Sequence, residues 1–311
     1  MKYSLLGSTG IEVSQICFGS LVMGPLQRDM DIQEGAGVIA HAFDKGINFI
    51  DTAQLYGTYG YIRQAMKISG SRPVIATKSY AYNREKAEES LKEALVSLDT
   101  DYIDIFLLHE QESPETLRGH RGALEFYIEK KKEGYIRAVG ISSHSIAAVR
   151  AAALMEEIDV IHPLINYTGL GITDGSREQM EQAVSLAFSR GKGIYTMKAL
   201  GGGSHILNYE EAMGYIRDFG SKHSVAIGMQ YKEEVDFNIS FFETGDMPAD
   251  IINEKRILHI DSWCTGCGRC IGHCGQRALE MIGGSIHIHH ERCVLCGYCS
   301  SYCPEFAIKI H

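Results

Sequence analysis

Eight of the nine cysteines stand in two runs near the C-terminus. The first is Cys264-x2-Cys267-x2-Cys270-x3-Cys274, and the second is Cys293-x2-Cys296-x2-Cys299-x3-Cys303, followed by Pro304. Four soft thiolates converging on an iron–sulfur cube are the chemistry this spacing serves, because closely spaced cysteines wrap one side of a cluster and supply three of its ligands. A pair of structural zinc sites is the alternative, but it leaves the third cysteine step of each run redundant. The ninth cysteine, Cys17, stands alone in an apolar stretch and reads as core packing.

A second set of residues is scattered through the first third of the chain. Asp51 and Tyr56 share the segment FIDTAQLYG, Lys78 closes VIATK, and His109 closes YIDIFLLH. Together they suit the reduction of a carbonyl. Hydride addition puts negative charge on the oxygen, which then needs a proton from a nearby acid. A tyrosine with its ordinary pKa near ~10 is a sluggish donor at neutral pH. A neighbouring ammonium stabilises the phenolate and lowers that pKa, and a carboxylate anchors the ammonium. A histidine can orient and polarise the carbonyl from the other side.

These residues need a frame that brings them together. Short runs at 13–20, 48–53, 74–78, 102–109, 138–143, 160–166, 193–199 and 225–229 are rich in β-branched residues and nearly uniformly apolar, as buried parallel strands are. Amphipathic stretches separate them, such as Arg84–Leu98, where Ala87, Leu91, Ala94, Leu95 and Leu98 recur at helical spacing. Eight strand–helix repeats over residues 1–244 fit a (β/α)8 TIM barrel, in which Asp51, Tyr56, Lys78 and His109 all open onto the C-terminal face. An open doubly wound sheet is the alternative, and no GxGxxG follows the first strand. Residues 245–259 read as a connector, and 260–311 as a small α+β iron–sulfur domain whose two cysteine runs repeat each other.

Composition narrows the partners. The 311 residues are 45% hydrophobic and 22% charged, ordinary for a globular protein of one large and one small domain. The formal charge of −9 argues against nucleic acid. No apolar run approaches the ~18 residues of a membrane span. The N-terminus turns polar and Gly-rich too early for a signal peptide. Eight crowded thiols point to metal rather than disulfides, and so to a cytoplasmic protein without membrane partners.

FIDTAQLYG, ATK and LLH, in this order and spacing, resemble the signature elements of the aldo-keto reductases, and the resemblance covers about residues 1–244. It implies that Tyr56 is the proton donor, that Lys78 and Asp51 tune it, and that His109 places the carbonyl of a small-molecule carbonyl or alcohol substrate. It also implies NADP(H) or NAD(H). Where the family holds the nicotinamide carboxamide with a Ser-Asn pair and a Gln, this chain has Ser142-Ser143 and His162; Asn166 also fits the pattern. Met197 replaces the family's stacking aromatic. Lys198 and the run Gly201-Gly202-Gly203-Ser204 suit a pyrophosphate, since glycine admits close backbone approach. Gln230, Lys232 and Asn238 fall at the adenosine end, where a single basic residue leaves NADPH and NADH both open. Tyr80 and Tyr82 read equally as pocket lining or as surface.

The tail resembles the two-cluster bacterial ferredoxins, with Gly275 where a proline usually follows the fourth cysteine. That resemblance implies one 4Fe–4S cluster on Cys264, Cys267, Cys270 and Cys303, and another on Cys293, Cys296, Cys299 and Cys274. It also implies a ferredoxin or flavodoxin-type electron carrier as partner. His287, His289 and His290 read as the solvent side of a two-faced hairpin rather than as ligands. No flavin motif is apparent. The reductases usually close the barrel mouth with a C-terminal tail, and the ferredoxin-like module occupies that place in sequence. Two roles for it follow: a path for electrons, or a structural or redox-sensing cover.

Overall fold

Strands that are apolar on both faces need cover on both faces, and a barrel wrapped in helices provides it. The computed structural model describes residues 1–246 and 256–310. Its first two strands, β1 (Tyr3–Leu5) and β2 (Glu12–Ser14), form an antiparallel hairpin. Eight parallel strands then close a barrel. They are β3 (Ile16–Gly19), β4 (Phe49–Asp51), β5 (Val74–Ser79) and β6 (Ile103–Leu108). β7 (Ile136–Ser143), β8 (Val160–Pro163), β9 (Gly193–Thr196) and β10 (Ser224–Ile227) follow, and β10 pairs with β3 to complete the ring. The expected helix at Arg84–Leu98 forms, with Asn83 Oδ1 accepting from the Lys86 amide at 3.0 Å as its N-cap.

The run expected as one first strand at 13–20 is two elements. Ser14 Oγ donates to the Ile16 carbonyl at 2.6 Å, and the Ser14 amide donates to Asn48 Oδ1, so polar bonds take over at the joint between β2 and β3. The hairpin then plugs the barrel floor. Leu6, Ile11 and Val13 pack inside the ring with Cys17, Phe49, Leu107 and Tyr195. Cys17 is fully buried in that cluster, and burial pushes its thiol pKa up.

The last barrel helix, Lys232–Thr244, ends on Gly245 in the left-handed region. Of the connector expected at 245–259, residues 247–255 lie outside the described residues, and Leu258 already belongs to the next strand. The tail adds β11 (Leu258–Ile260), β12 (Leu279–Ile282), β13 (Ser285–Ile288) and β14 (Ile308–Ile310). β11 pairs antiparallel with β14, and β12 with β13. The sequence repeat is also a backbone repeat: Gly268 and Gly297 are left-handed, as are Arg277 and Phe306. The Ala278 amide donates to Cys274 Sγ at 3.3 Å, and the Ala307 amide to Cys303 Sγ at 3.2 Å. His287 lies on β13, exposed between two half-buried isoleucines, whereas His289 and His290 lie beyond its end.

The tail module sits on the C-terminal mouth of the barrel. Arg256 donates to Glu234 Oε1 at 2.5 Å. Gly203 has φ of 89°, and a Cβ there would overlap the Ile310 carbonyl. A Cβ on Gly297 would overlap the backbone of Ser204. Gly203→Ala is therefore expected to lower the thermal midpoint, losing about 2 kcal/mol by clash and strain. Gly214→Ala, in helix Tyr209–Asp218 with open space around it, is expected to leave the midpoint unchanged or raise it. Circular dichroism melts of the two variants check the pair.

Candidate active site

Parallel strands that end at one face bring their last residues together, and here that places an ion pair at the barrel mouth. Lys78 Nζ donates to Asp51 Oδ2 and to the Thr52 carbonyl, both at 2.8 Å. Tyr195 on β9 donates its hydroxyl to Asp51 Oδ1 at 2.9 Å. Both members of the pair are buried. Tyr56, half-buried on the 3-10 turn Gln54–Tyr56, presents its ring to Lys78 Nζ at 4.8 Å from the centroid. His109 lies edge-on to Tyr56, with ring centroids 5.7 Å apart. The four expected catalytic residues thus form one group.

Their protonation follows from burial. Desolvation pushes the Tyr56 phenol well above its ordinary pKa, and the charges of Asp51 and Glu110 push it further. This differs from the expectation that Lys78 lowers it. The reason is the burial of the phenol, to which Asp51, itself the partner of Lys78, adds its negative charge. The phenol therefore keeps its proton. Burial, followed by the charge of Lys78, holds His109 well below the usual histidine range, so its imidazole is neutral. His109 Nδ1 is buried and has no hydrogen-bond partner among the described residues. Tyr80 and Tyr82 are both exposed, but Tyr80 stacks on His109 with centroids 4.4 Å apart and donates its hydroxyl to Glu110.

A cleft of about 1350 Å³, open mouth included, runs from Asp51 and Tyr56 across the barrel top. His162, Met197, Lys198, Gly202, Gln230 and Asn238 line it, as expected of cofactor contacts. His162 stacks on Tyr195 at 3.9 Å, with Nδ1 2.6 Å from the Tyr195 carbonyl, and burial pushes its pKa down to about 4. The other expected contacts lie off the cleft wall. Ser142 Oγ accepts from the Glu110 amide at 2.8 Å, and Ser143 Oγ donates to the Gln111 carbonyl at 2.7 Å. Asn166 spends its side chain on Leu170 and Thr168, holding its own loop. Gly201 packs toward the His205 ring, and Lys232 opens the last barrel helix. The glycine run has a structural partner as well: Gly202 faces Phe306 and Lys309, and Gly203 faces Ile310.

Several residues in or beside the cleft carry no sequence signal of this role. Arg28 donates to Gln230 Oε1 at 3.1 Å and lies over the Tyr231 ring. Arg256, Lys309 and Ile310 reach the cleft from the tail module. Burial pushes Lys198 down to about 8, and burial with repulsion from Lys198 pushes Lys309 down to about 7. Tyr195 shares the apolar run 193–199 with Met197, two residues on, and that alternation is the signal for its inward-facing ring.

The cysteines gather into two rings. Cys264, Cys267, Cys270 and Cys303 surround one cavity, and Cys274, Cys293, Cys296 and Cys299 surround another. Each ring takes three thiols from one run and the fourth from the other. Residues 256–304 match the model of a 4Fe-4S dicluster domain, and residues 15–241 match that of the aldo/keto reductase family. The chain belongs to the aldo/keto reductase family.

Relatives of this aldo/keto reductase barrel agree. The Glycine max protein named Probable aldo-keto reductase 1 is 30% identical over 218 residues, 64% of this chain and 59% of its own length. Aldo-keto reductase YhdN of Bacillus subtilis is 30% identical over 182 residues, 53% of this chain and 54% of its own length. The chain thus spans little more than half of these curated relatives. The solved aldo-keto reductase AKR11C1 from Bacillus halodurans shares the fold, with a TM-score of 0.61 and 21% identity over 81% of this chain and 92% of that one. Among the described residues, no helix is long and apolar enough to cross a membrane.

The ion pair is the most exposed point of this arrangement to mutation. Lys78→Met leaves the Asp51 carboxylate buried without its cation and is expected to cost about 3 kcal/mol of stability. Adding Asp51→Asn to it removes the stranded charge and is expected to raise the thermal midpoint again. Melting curves of the single and double variants test this order.

Proposed function

We propose that the barrel interconverts a small-molecule carbonyl and its alcohol with NADP(H) or NAD(H), and that the tail holds two 4Fe–4S clusters. The observation that carries the reading is the protonated Tyr56 beside the Lys78–Asp51 pair and a neutral His109, at one end of a long cleft. The donor set along that cleft fits a dinucleotide. The cleft's polar groups include Tyr56, against whose ring His109 packs, Lys198, the backbone of Gly202, and Gln230, which accepts from Arg28. Met197, His162 and Asn238 complete its walls. When bound, the nicotinamide supplies and removes hydride.

The chain's own residues do the rest. Tyr56 holds the proton on its hydroxyl and delivers it to the carbonyl oxygen. Lys78 steadies the phenolate left behind, and Asp51 keeps Lys78 in place. His109 orients the carbonyl through a ring nitrogen, and its neutral state keeps it a hydrogen-bond donor rather than a competing acid. Tyr80 stacks on His109 and fixes its tilt. Ser142 and Ser143 hold the backbone after His109.

Each cysteine ring supplies four thiolates, the number a 4Fe–4S cluster takes, and such clusters move electrons singly. In this reading the module serves a ferredoxin or flavodoxin-type carrier, in the reducing cytoplasm where crowded thiols stay free for metal. A second reading has its own observation: Lys309 and Ile310 of the module line the catalytic cleft, which favours a cover that is structural or redox-sensing. Tyr56→Phe tests the reductase assignment. Carbonyl-dependent oxidation of NADPH or NADH is expected to slow by at least about a hundredfold, with dinucleotide affinity and iron content unchanged. Undiminished turnover in that variant would remove the assignment.

A further inference from the structure

Two lysines converge where the module meets the barrel. Lys198 follows β9 in a left-handed conformation, with φ of 60°, and its Nζ lies 4.2 Å from the centroid of the Phe306 ring. Lys309, on β14, is buried, and its Nζ lies 3.9 Å from the same centroid. Both line the cleft that begins at Asp51 and Tyr56. Gly202 makes the approach possible, because a Cβ there would come within 2.8 Å of Lys309 Cδ.

Negative charge at this junction falls short. Asp261 Oδ2 is 3.5 Å from Lys309 Nζ, and Lys309 also donates to the Phe306 carbonyl. Among the described residues, Lys198 has no carboxylate within ion-pair distance; Glu110 and Asp261 act on it only from farther away, and Lys78 repels it. Cys303 also bears negative charge toward Lys309, His144 is buried and held neutral, and the Glu234 carboxylate of the cleft is already paired with Arg256. Two ammonium groups thus face one close carboxylate. Burying a cation without a partner is costly, and an arriving anion offsets that cost.

We propose that Lys198 and Lys309 form one seat for an oxyanion, a phosphoryl or carboxylate group, so that the anion site of the cleft is complete only with the iron–sulfur module docked. The identity of that oxyanion as a cofactor phosphate or a substrate carboxylate rests on the reductase reading; the seat itself does not. Its barrel half comes from the end of a barrel strand, and its other half from a strand that also pairs with the start of the module.

Isothermal titration of the full chain, purified without oxygen and carrying its clusters, tests this with inorganic pyrophosphate, oxalate and NADPH as probes. The wild type is expected to bind at least one of the two simple anions saturably. Lys309→Met and Lys198→Met are each expected to weaken that binding by about tenfold or more, the effect of removing a charged hydrogen bond. Lys309→Arg is expected to keep most of it. Weakened pyrophosphate and NADPH with unchanged oxalate identifies the cofactor phosphates as the occupant, and weakened oxalate alone identifies a substrate carboxylate. Iron content and melting midpoint accompany every variant, and Lys198→Met carries the test if Lys309→Met loses its clusters. The proposal is overturned if neither anion binds the wild type, or if both bind the folded variants as tightly as the wild type. If NADPH fails to bind the wild type while the lysine variants still lose anion affinity, the seat stands and the reductase reading falls. The converse result, NADPH-driven turnover with anion affinities untouched by either lysine, removes the seat alone.

Discussion

Two opposite charges buried at the barrel mouth organise the candidate active site of this protein. Asp51 and Lys78 end neighbouring strands, so the barrel itself sets their separation. Tyr195 and the Thr52 carbonyl then add one further hydrogen bond to each side. Burying such a pair costs desolvation of both ions, and the pairing offsets it only with good geometry and added hydrogen bonds. The consequence reaches the neighbours. Burial, with the charges of Asp51 and Glu110 added, keeps the proton on Tyr56. The positive charge of Lys78 also helps to keep His109 neutral, so one ion pair bears on two partner groups.

The tail follows a different rule. Its core is small, built from Leu258, Leu279, Ile308 and Ile310 with Cys270 and Cys299 among them, and a core of that size rarely holds a domain by itself. Metal bound by cysteines far apart in the chain would therefore contribute to folding. Each ring draws its fourth thiol from the opposite half, so the two halves close as one unit. The loop after Cys303 carries Phe306, and the chain then enters β14, which pairs with β11 and faces the glycine run of the barrel. Cluster, strand pairing and barrel contact thus lie on one short stretch of chain. This links the state of the module physically to the shape of the catalytic cleft.

Much of this was legible in the residues. The eight apolar runs correspond to the eight barrel strands, because a strand buried on both faces leaves a continuous hydrophobic signal. The tetrad was legible because strand ends share one face, and the cysteine runs because cluster ligation fixes their spacing. What escaped had long-range causes. The joint between β2 and β3 depends on Ser14 meeting Asn48, far along the chain. The glycine run reads as a phosphate cradle locally, yet its Gly202 and Gly203 also admit Phe306, Lys309 and Ile310 from the far end of the chain. Lys309 and Arg256 reach the cleft, and Arg28 reaches Gln230 on its wall, only through tertiary packing, and no local pattern marks them. Ser142, Ser143 and Asn166 sit at the expected strand ends, but their short side chains are taken up by nearby backbone and hydroxyl groups.

In the proposed reading, barrel and module together build one dinucleotide cleft ending at Tyr56. Its most direct test is a fluorescence titration of NADPH, and separately NADH, into the intact cluster-bearing protein under anaerobic conditions. The account predicts saturable binding of one dinucleotide per chain for at least one of the two, with nicotinamide fluorescence altered by the buried site. Absence of saturable binding by either, in protein with its full complement of iron and sulfide, would contradict it.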